Sequence, residues 1–403
     1  MMRKVLTFIM AGGKGERLLP LTNDRAKPAV PFGGIYRIID FTLSNCINSG
    51  LRRINVLTQY KSISLQRHLR MGWNIFSSDL GEYIDVIPAQ QRVGSDWYRG
   101  TADAVYQNIY TIEQEKADEI LILAGDHVYK LNYYQMIDFH RQQEADLTVS
   151  VFEIKKENSA HLGVLEVDAK GRVMGFEEKP SRPKVIPDKP DKIYASMGIY
   201  VFNREVLEEE LIEDARKNTD HDFGKNIIPQ MVKQGKKIRA FNFSDRDAAY
   251  WRDIGTIDGY YEVNMDLLGA EPVFSLYDQD WPVRTYQEQF PPARTIHSDE
   301  EAGRVGQLLD SLVSSGCVIS GGKVQRSVLS PNVRINSFSE VYDSILMEGV
   351  DVGRYAKIQR AIIDKEVKIP RNAVIGYDLK EDKKRFTVTD SGIVVVGKGT
   401  EIK

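Results

Sequence analysis

Near its start the chain has an apolar run that leads directly into a glycine-rich loop, and this combination restricts the folds that the chain can adopt. Residues 5–9 read VLTFI, and residues 11–18 read AGGKGERL. An apolar run that stops at glycines predicts a buried strand followed by a turn. The glycines allow backbone N–H groups to approach an anion, with Lys14 and Arg17 beside them as counter-charges. In a doubly wound sheet, such a loop lies where ligands bind, beyond the carboxyl end of a strand.

The loop suits a nucleoside triphosphate, yet it matches neither of the two commonest phosphate-binding motifs. A P-loop requires Gly-Lys followed by Ser or Thr, whereas Gly15 follows Lys14. The dinucleotide motif G-x-G-x-x-G fails because Arg17 and Leu18 stand near the place of its last glycine. An ordinary strand-to-helix turn therefore stays an alternative for this segment taken alone.

Length, charge and cysteine content exclude several classes of protein. With 403 residues, 42% of them hydrophobic, and a formal net charge of -3, the chain is expected to be soluble and globular, with two domains. Basic residues form no long runs, and no segment has the length of a membrane span or a signal peptide, so neither a nucleic-acid nor a membrane partner is expected. Only Cys46 and Cys317 are present, and no His-x-x-x-His pair occurs. A cytoplasmic location without a zinc site fits best.

Two kinds of pattern divide the chain. In residues 1–268, β-rich runs alternate with helical patterns, which predicts a Rossmann-like, mostly parallel α/β sheet with helices on both faces. Predicted strands cover 54–58, 120–123 and 147–152, and predicted helices cover 41–49, 101–115 and 133–144. Residues 269–295 contain four prolines and several aromatic residues, which indicates a linker that is packed down.

The remaining residues, 296–403, show a different period. From about residue 313, small or aliphatic residues recur near every sixth position, namely Val318, Val324, Val350, Ala356, Ile362, Val367 and Ala373. This period is typical of a left-handed parallel β-helix of hexapeptide repeats, each forming one flat side of a triangular coil. A plain antiparallel β domain is the alternative, because the spacing slips between 330 and 345.

Two carboxylates follow strand-like runs and are candidate metal ligands. Asp126 comes just after the run at 120–123, and Asp253 follows another run and precedes a turn. Mg²⁺ takes oxygen ligands and often uses only one or two carboxylates, with phosphate oxygens completing its shell. Facing a phosphate loop, this pair would hold a metal ion on a triphosphate. A turn-capping role is the alternative for Asp126.

Other candidates have equally ordinary alternatives. Lys27 precedes a proline that stiffens its segment, but an isolated lysine is commonly a surface residue. Glu178 and Lys179 suit a sugar hydroxyl and a phosphate, or they form an exposed ion pair that contributes little. Thr101 and the segment 221–224 are interpreted as helix caps.

Together these segments resemble the nucleotide-sugar pyrophosphorylases, and within them the bacterial glucose-1-phosphate adenylyltransferases. The glycine loop marks only the superfamily, whereas NCINSG at 45–50 and WYRGTADA at 97–104 point to the adenylyl branch. The resemblance covers nearly the whole chain. Its other matching stretches are at 25–30, 32–34, 37–41, 88–92, 123–129, 178–180, 195–202, 221–225 and 250–256.

The resemblance implies a reaction in which ATP and α-D-glucose 1-phosphate give ADP-glucose and pyrophosphate, the regulated step of bacterial glycogen synthesis. The sugar phosphate oxygen would attack the α-phosphorus in line, without a covalent enzyme intermediate. Catalysis would then rest mostly on positioning and charge neutralisation, with Mg²⁺ as the cofactor.

The matched motifs also carry over individual roles. The catalytic candidates are Arg17 and Lys27, which would bind the triphosphate, and Asp126, which would hold Mg²⁺ together with Asp253. Lys179 would bind the sugar phosphate. The remaining substrate-binding candidates are Gly12, Gly13, Gln91, Tyr98, Gly163, Glu178 and Ser196.

Regulation and assembly are implied in the same way. The resemblance implies a homotetramer controlled by allosteric metabolites, with the β-helix contributing to both properties. Arg25 and Arg37 match basic positions near the effector cleft, and Arg385 is expected to approach from the other domain. Asp24 stands where some family members have a lysine, so the same activator cannot be assumed.

Three other functions fit parts of the pattern. The chain could use UTP, GTP or dTTP, which a panel of nucleotides would test. It could be a catalytically inactive regulatory subunit, although Arg17, Lys27, Asp126, Lys179 and Asp253 are all present. It could be a β-helix acyltransferase, but such enzymes usually carry a catalytic histidine in the coils, and none follows His297.

Overall fold

The computed structural model describes residues 4–90, 97–245 and 249–402, without the side chain of His161. The chain forms two compact units. The first consists of Met1–Gly13, Phe41–Ser62 and Trp73–Trp251, and the second of Lys14–Asp40, Ile63–Gly72 and Arg252–Lys403. The second unit thus combines two N-terminal segments with the C-terminal part. The domain boundaries at 268 and 295 stay predictions. Among the described residues, no helix combines the length and apolarity needed to cross a membrane.

The elements before the repeat region alternate as expected. The strands are β1 (Val5–Met10), β2 (Pro31–Phe32), β3 (Tyr36–Arg37), β4 (Arg53–Thr58), β5 (Tyr83–Pro88), β6 (Glu119–Ala124), β7 (His127–Tyr129), β8 (Leu147–Lys155), β9 (Gly163–Val167), β10 (Val173–Glu178), β11 (Lys192–Asn203), β12 (Ile238–Asn242) and β13 (Trp251–Asp253). The helices are α1 (Ile38–Asn48), α2 (Ile63–Gly72), α3 (Thr101–Tyr106), α4 (Ile109–Glu115), α5 (Tyr133–Gln142), α6 (Arg204–Ala215), α7 (Ile228–Lys233), α8 (Ile257–Asp266) and, near the C-terminus, α9 (Leu379–Asp382).

The first unit is built on a sheet in the order β10-β9-β11-β6-β1-β4-β5, and β8 joins β11 to β12. β1 pairs in parallel with β4 and β6, β4 with β5, and β8 with β12. β11 is antiparallel to both β6 and β8. The prediction of a mostly parallel sheet is confirmed. Because β1 and β6 are buried along nearly their whole length, they read as continuous apolar runs.

One predicted helix is interrupted. The segment 101–115 forms two helices, α3 and α4, with Gln107 and Asn108 between them. Their side chains donate hydrogen bonds back to the preceding helix α3: Gln107 donates to the carboxylate of Asp103 at 2.9 Å, and Asn108 donates to the carbonyl of Ala104 at 2.7 Å. Amide side chains that bond nearby groups compete with a regular helix, which is why periodicity alone predicted one continuous element.

The second unit contains the repeat region, whose strands form parallel ladders. These strands are β14 (Arg294–Ile296), β15 (Ser298–Asp299), β16 (Arg304–Val305), β17 (Gln307–Leu309), β18 (Leu312–Val313), β19 (Val318–Ser320), β20 (Lys323–Gln325), β21 (Val328–Leu329), β22 (Arg334–Ile335), β23 (Glu340–Tyr342), β24 (Ile345–Leu346), β25 (Asp351–Val352), β26 (Lys357–Gln359), β27 (Ala361–Ile363), β28 (Lys368–Ile369), β29 (Val374–Ile375), β30 (Thr387–Val388) and β31 (Val394–Val396).

The ladders confirm a parallel β-helix and exclude the antiparallel alternative for this region. Their orders are β14-β19-β22-β25-β28, β17-β20-β23-β26-β29 and β18-β21-β24-β27-β31. Val318 pairs with Arg334, and Arg334 with Asp351, so the coils stay in register through the segment where the six-residue spacing slips. Buried aliphatic side chains such as Val324, Val341 and Ile358 stack on successive coils to form the core. The left-handed sense of the coil stays a prediction.

Candidate active site

The glycine loop begins at the carboxyl end of β1, where the sequence predicted a ligand site. Gly12 and Gly13 lie in the first unit, directly after Ala11, whose N–H donates to the carbonyl of Leu57 at the end of β4 (2.9 Å). Gly125 follows β6 on the other side of β1 and donates its N–H to the carbonyl of Met10 (3.1 Å). The loop therefore stands between the ends of two parallel neighbours, as ligand-binding loops of open α/β sheets do.

Three charged side chains meet in the second unit. Nζ of Lys27 lies 3.2 Å from Oδ1 of Asp253, and both side chains are mostly buried. A Cβ placed on Gly255 would stand 3.0 Å from Oδ2 of Asp253 and 3.5 Å from Nη1 of Arg17. The tertiary structure thus brings two cations and one carboxylate to the same small volume. Such a set suits a polyphosphate chain with a divalent cation.

Asp126 lies in the first unit, in the turn after β6. Its Oδ1 is 3.6 Å from Nε2 of His127, and its side chain is 30% exposed. Trp251 donates from Nε1 to Nδ1 of His127 at 3.4 Å, which orients the ring. The Asp126 carboxylate is partly accessible to solvent and offers the type of oxygen ligand that hard divalent cations take.

Gly163, Glu178 and Lys179 form a continuous patch in the first unit. Gly163 and Glu178 are direct partners in the antiparallel pair of β9 and β10. A Cβ on Gly163 would stand 2.5 Å from Cζ of Phe176 and 2.8 Å from Oε2 of Glu178, so the missing side chain leaves room for both the Phe176 ring and this carboxylate. Nζ of Lys179 lies 3.7 Å from Oε1 of Glu178, and half of the Lys179 side chain is exposed. This leaves a cation and a carboxylate side by side at an open edge.

Burial shapes the titration of this patch. It raises the pKa of the Glu178 carboxyl, the charge of Lys179 opposes the rise, and the charge of Asp222 adds to it. Ser196 adjoins the same set through Tyr200, whose Oη lies 3.4 Å from Oγ of Ser196. Burial also raises the pKa of Tyr200, and the charges of Asp222 and Glu178 add to that rise. The patch therefore contains two residues, Asp222 and Tyr200, that sequence reasoning did not select.

Asp222 does cap a helical turn, as the sequence indicated. Its Oδ1 accepts hydrogen bonds from the N–H groups of Gly224 (2.9 Å) and Lys225 (3.0 Å), at the start of the π-helical turn Phe223–Ile227. Its Oδ2 accepts from Oγ1 of Thr101 at 2.9 Å. The same carboxylate has a second effect that its interpretation as a cap did not include: its charge raises the pKa of Glu178. The sequence did contain a signal for this role, because Asp222 is an acidic residue in a segment, 221–225, that matches the family.

The nucleotide-side candidates are described only in part. Gln91 lies outside the described residues. Tyr98 is partly buried, its Oη accepts a hydrogen bond from Nδ2 of Asn108 (3.0 Å), and burial raises its pKa. Next to it, Arg99 pairs with the buried carboxylate of Asp103 at 3.3 Å.

A cavity of about 700 Å³ lies within the second unit, and neither Lys27 nor Asp253 is among its lining residues. It is lined by the basic or titratable side chains of Arg37, Arg67, His68 and Lys365 and by the acidic side chains of Asp24, Glu288, Glu348 and Glu366. Lys365 forms an ion pair with Glu348, and burial lowers the pKa of Lys365. Arg37 donates from Nη1 to Oγ of Ser64 at 2.9 Å. The cavity is thus mixed in charge.

The other two effector candidates do not line this cavity. Arg25 is buried, and its Nη2 donates to both carboxylate oxygens of Asp364, at 2.9 and 3.1 Å. Its guanidinium is therefore committed to an internal ion pair. Arg385 lines a separate cleft of the second unit with Lys383, Lys384 and Lys398, and it bonds Asp382 at 3.1 Å. Of these three arginines, Arg37 lines the larger cavity and Arg385 the separate cleft.

Comparison with known proteins adds independent information. Residues 6–269 match a family model described as nucleotidyl transferase, and residues 291–396 match one described as GlmU-like, C-terminal hexapeptide. A protein of Rhodopirellula baltica named glucose-1-phosphate adenylyltransferase is 53% identical over 100% of this chain and 92% of its own length. Proteins of Koribacter versatilis and Vibrio cholerae with the same activity in their names are 54% and 48% identical, each over 98% of this chain and over 95% and 98% of their own lengths.

Proposed function

The chain belongs to the glucose-1-phosphate adenylyltransferase family, and from this membership we propose that it transfers the adenylyl group of ATP to α-D-glucose 1-phosphate. The products are ADP-glucose, a glucosyl donor for glycogen synthesis, and pyrophosphate. The observation that carries the proposal is the identity of 48–54% to proteins of that name along essentially the whole chain.

The cluster of Arg17, Lys27 and Asp253 supports a role in binding the triphosphate. Pyrophosphate gains negative charge as it leaves, and preformed cations stabilise that charge most strongly where water is partly excluded. Lys27 is mostly buried, so its ammonium has lost much of its hydration and is held in place by Asp253. Arg17 and Lys27 therefore bind the phosphates and stabilise the leaving group.

The patch around Glu178 supports binding of the sugar phosphate. Lys179 presents a half-exposed ammonium that pairs with the phosphate of glucose 1-phosphate. Glu178 and Ser196 offer acceptors for glucose hydroxyls, and Gly163 leaves the space in which the Glu178 carboxylate lies. We add Asp222 and Tyr200 to this subsite. The charge of Asp222 acts on the Glu178 carboxyl, and the hydroxyl of Tyr200 bonds that of Ser196.

The reaction requires only positioning and charge neutralisation from the protein. A phosphate oxygen of glucose 1-phosphate forms a bond to the α-phosphorus, and the bond from that phosphorus to the leaving pyrophosphate breaks, with no covalent enzyme intermediate. Asp126 and Asp253 would hold Mg²⁺, which would neutralise phosphate charge when bound. Gly12, Gly13, Tyr98 and Gln91 complete the nucleotide side of the proposal.

Pyrophosphate release tests this function directly. Purified protein is assayed with glucose 1-phosphate, Mg²⁺ and each of ATP, UTP, GTP and dTTP. Release with ATP is expected, and a preference for another nucleotide would overturn the adenylyl assignment. Asp126→Asn should fold normally and lose activity by orders of magnitude, since a bound metal typically contributes several kcal/mol of charge stabilisation. Normal activity of Asp126→Asn would contradict the metal assignment. No release with any nucleotide would favour a regulatory subunit.

We further propose that the cavity lined by Arg37 binds an anionic allosteric metabolite. Arg37, Arg67 and Lys365 supply the cations. Asp24 and Lys365, which line the cavity, are the chain neighbours of Arg25 and Asp364, so the buried pair of Arg25 and Asp364 holds this part of the lining in place. Arg385 belongs to the second cleft, whose three neighbouring lysines suit another anion. Calorimetric titration with inorganic phosphate tests both, using Arg37→Gln for the cavity and Arg385→Gln for the cleft.

The proposal includes assembly into a homotetramer in the cytoplasm. Light scattering coupled to size-exclusion chromatography should give the mass of four 45.8-kDa chains. A monomeric mass in an active preparation would exclude the tetramer as a requirement for activity.

A further inference from the structure

A buried hydrogen-bonded junction in the first unit joins two segments that the proposed function assigns to different substrates. The nucleotide-side segment ends at Gly100 and enters α3, and the sugar-side segment runs from Thr219 to Phe223. The N–H groups of Ala102 and Asp103 both donate to the main-chain carbonyl of His221, at 2.8 and 3.2 Å. The first turn of α3 is therefore bonded to a single residue of the other segment.

The contact between the two backbones is unusually close. A Cβ on Gly100 would stand 2.2 Å from the carbonyl oxygen of Asp220 and 2.3 Å from that of His221, so only glycine fits there. Thr101 adds a bridge of side chain and backbone. Its Oγ1 donates to Oδ2 of Asp222 at 2.9 Å and accepts from the N–H of Phe223 at 3.0 Å.

His221 holds this junction in an uncommon conformation. Its φ is +49°, in the left-handed region that non-glycine residues rarely adopt without support. The support is buried: Nδ1 lies 2.7 Å from Oδ2 of Asp214, and the N–H of His221 donates to Oγ1 of Thr219 at 3.0 Å. Thr219 in turn donates to Oδ1 of Asp214 at 2.8 Å.

Only one ring nitrogen of His221 is used in this network. Nε2 is buried and has no hydrogen-bond partner among the described residues. Nδ1 donates its hydrogen to the carboxylate of Asp214, because the carboxylate oxygen can only accept. A smaller side chain that supplies one N–H at the position of Nδ1 can therefore replace the ring.

We propose that His221 is a positioning residue that sets the nucleotide-side segment 97–101 against the sugar-side carboxylates. Tyr98 and Arg99 immediately precede the junction, Asp222 immediately follows His221, and Asp222 acts on Glu178. The junction thus couples the placement of both substrates. This inference rests on the proposed adenylyl transfer, because that reaction gives the two segments their roles.

Three substitutions test the role of His221. His221→Asn retains a residue type that tolerates the left-handed conformation, and its amide N–H can reach Asp214. His221→Gly retains the conformation and loses the anchor. His140→Gln is the matched control, because His140 is also buried and bonded in the first unit, to Thr148 (2.8 Å) and Asn203 (3.2 Å), without a link to the junction.

Steady-state kinetics provide the first readout. His221→Gly should raise the KM for ATP and for glucose 1-phosphate together and reduce kcat/KM by about 10–100-fold, because small misplacements of reacting groups have effects of this size. His221→Asn should stay within about 3-fold of the wild type, since it restores the anchor. His140→Gln should leave both KM values unchanged. Wild-type KM values in His221→Gly, or a loss in His221→Asn as large as in His221→Gly, would overturn the inference.

Limited proteolysis provides a readout that does not depend on activity. The Arg99 side chain is 44% exposed, so trypsin can reach it when the segment opens. Cleavage after Arg99, followed by mass spectrometry, should be about tenfold faster in His221→Gly than in the wild type and His221→Asn, because local opening controls proteolysis. Equal cleavage rates would overturn the positioning role. Failure of the wild type to release pyrophosphate would instead count against the proposed function.

Discussion

Nζ of Lys27 lies 3.2 Å from Oδ1 of Asp253, although 226 residues separate them in the chain. Both belong to the second unit, because the segment that carries Lys27 packs with the C-terminal part of the protein. A partly desolvated ammonium held by one carboxylate is a fixed positive charge that need not reorganise when a phosphate arrives. This pair is therefore where loss of charge should affect activity most.

Lys27→Gln should lower kcat/KM for ATP by about 10²–10³-fold, the range found when one preorganised charge-stabilising donor is removed. The assay is pyrophosphate release at varied ATP. Lys4→Gln is the control, because Lys4 forms an exposed pair with Asp118 in the first unit, with side chains 65% and 51% exposed. An equal effect in the two variants would show that net charge, and not the Lys27 site, is responsible.

The raised pKa of Glu178 predicts a pH dependence of sugar-phosphate binding. Because its folded-state pKa lies above the ordinary value, Glu178 takes up a proton earlier than an ordinary glutamate as the pH falls. Its acceptor charge is then lost, and the KM for glucose 1-phosphate should rise in mildly acidic solution. Asp222→Asn removes a charge that raises this pKa and retains a capping residue, so the rise should move to lower pH.

Glu178→Gln separates this effect from titration of the substrate itself. The variant should have a KM for glucose 1-phosphate at least about tenfold above that of the wild type, and only the dependence due to the substrate phosphate should remain. If Glu178→Gln and the wild type show the same pH profile, Glu178 does not control the acidic limb.

The buried pair of Arg25 and Asp364 should contribute to stability, and Arg25 should not contact an effector directly. Asp364→Ala leaves the Arg25 guanidinium uncompensated, which should cost about 3–5 kcal/mol of unfolding free energy. Urea unfolding measures the change. Glu340→Ala breaks the exposed pair with Lys357 in the same unit and should cost about 0–1 kcal/mol. A small effect of Asp364→Ala would show that Arg25 finds another partner.

Two glycines of the β-helix differ in their surroundings and allow a matched test. Gly376 and Gly349 both have positive φ, at +87° and +73°. A Cβ on Gly376 would stand 1.7 Å from the carbonyl oxygen of Gln359, whereas on Gly349 the nearest atom would be 3.6 Å away, in Glu366. Gly349→Ala should cost about 1–2 kcal/mol from backbone strain alone.

Gly376→Ala should cost more than Gly349→Ala, because a neighbouring coil must also move. The Tm of each variant, measured by calorimetry, should therefore fall further for Gly376→Ala. Equal shifts in Tm would mean that the coil containing Gln359 can move to accommodate the Cβ without losing stability.

The pattern of the sequence determined the architecture of both regions. β1 and β6 are apolar along their length because they are buried strands, and Val350 and Ala356 recur six residues apart because both belong to the core of the coil. Ile362, which continues this spacing, is buried but lies between the core residues Ala361 and Ile363. A short motif also identified Glu178 and Lys179, which the tertiary structure brings together with Gly163. These signals are local, so they survive in the linear sequence.

Which charged side chains interact with each other was decided only by the tertiary structure. Arg25 and Asp364 are 339 residues apart, and the residues next to Arg25 in the sequence do not indicate that it forms an internal ion pair. Arg385 shares a type and a charge with Arg37, yet it lines a different cleft. Asp222 reads as a cap, and its action on Glu178 emerges only when two segments pack. Ion pairs and electrostatic coupling depend on distance and burial in space, and residues far apart in the chain leave no local periodicity from which either can be read.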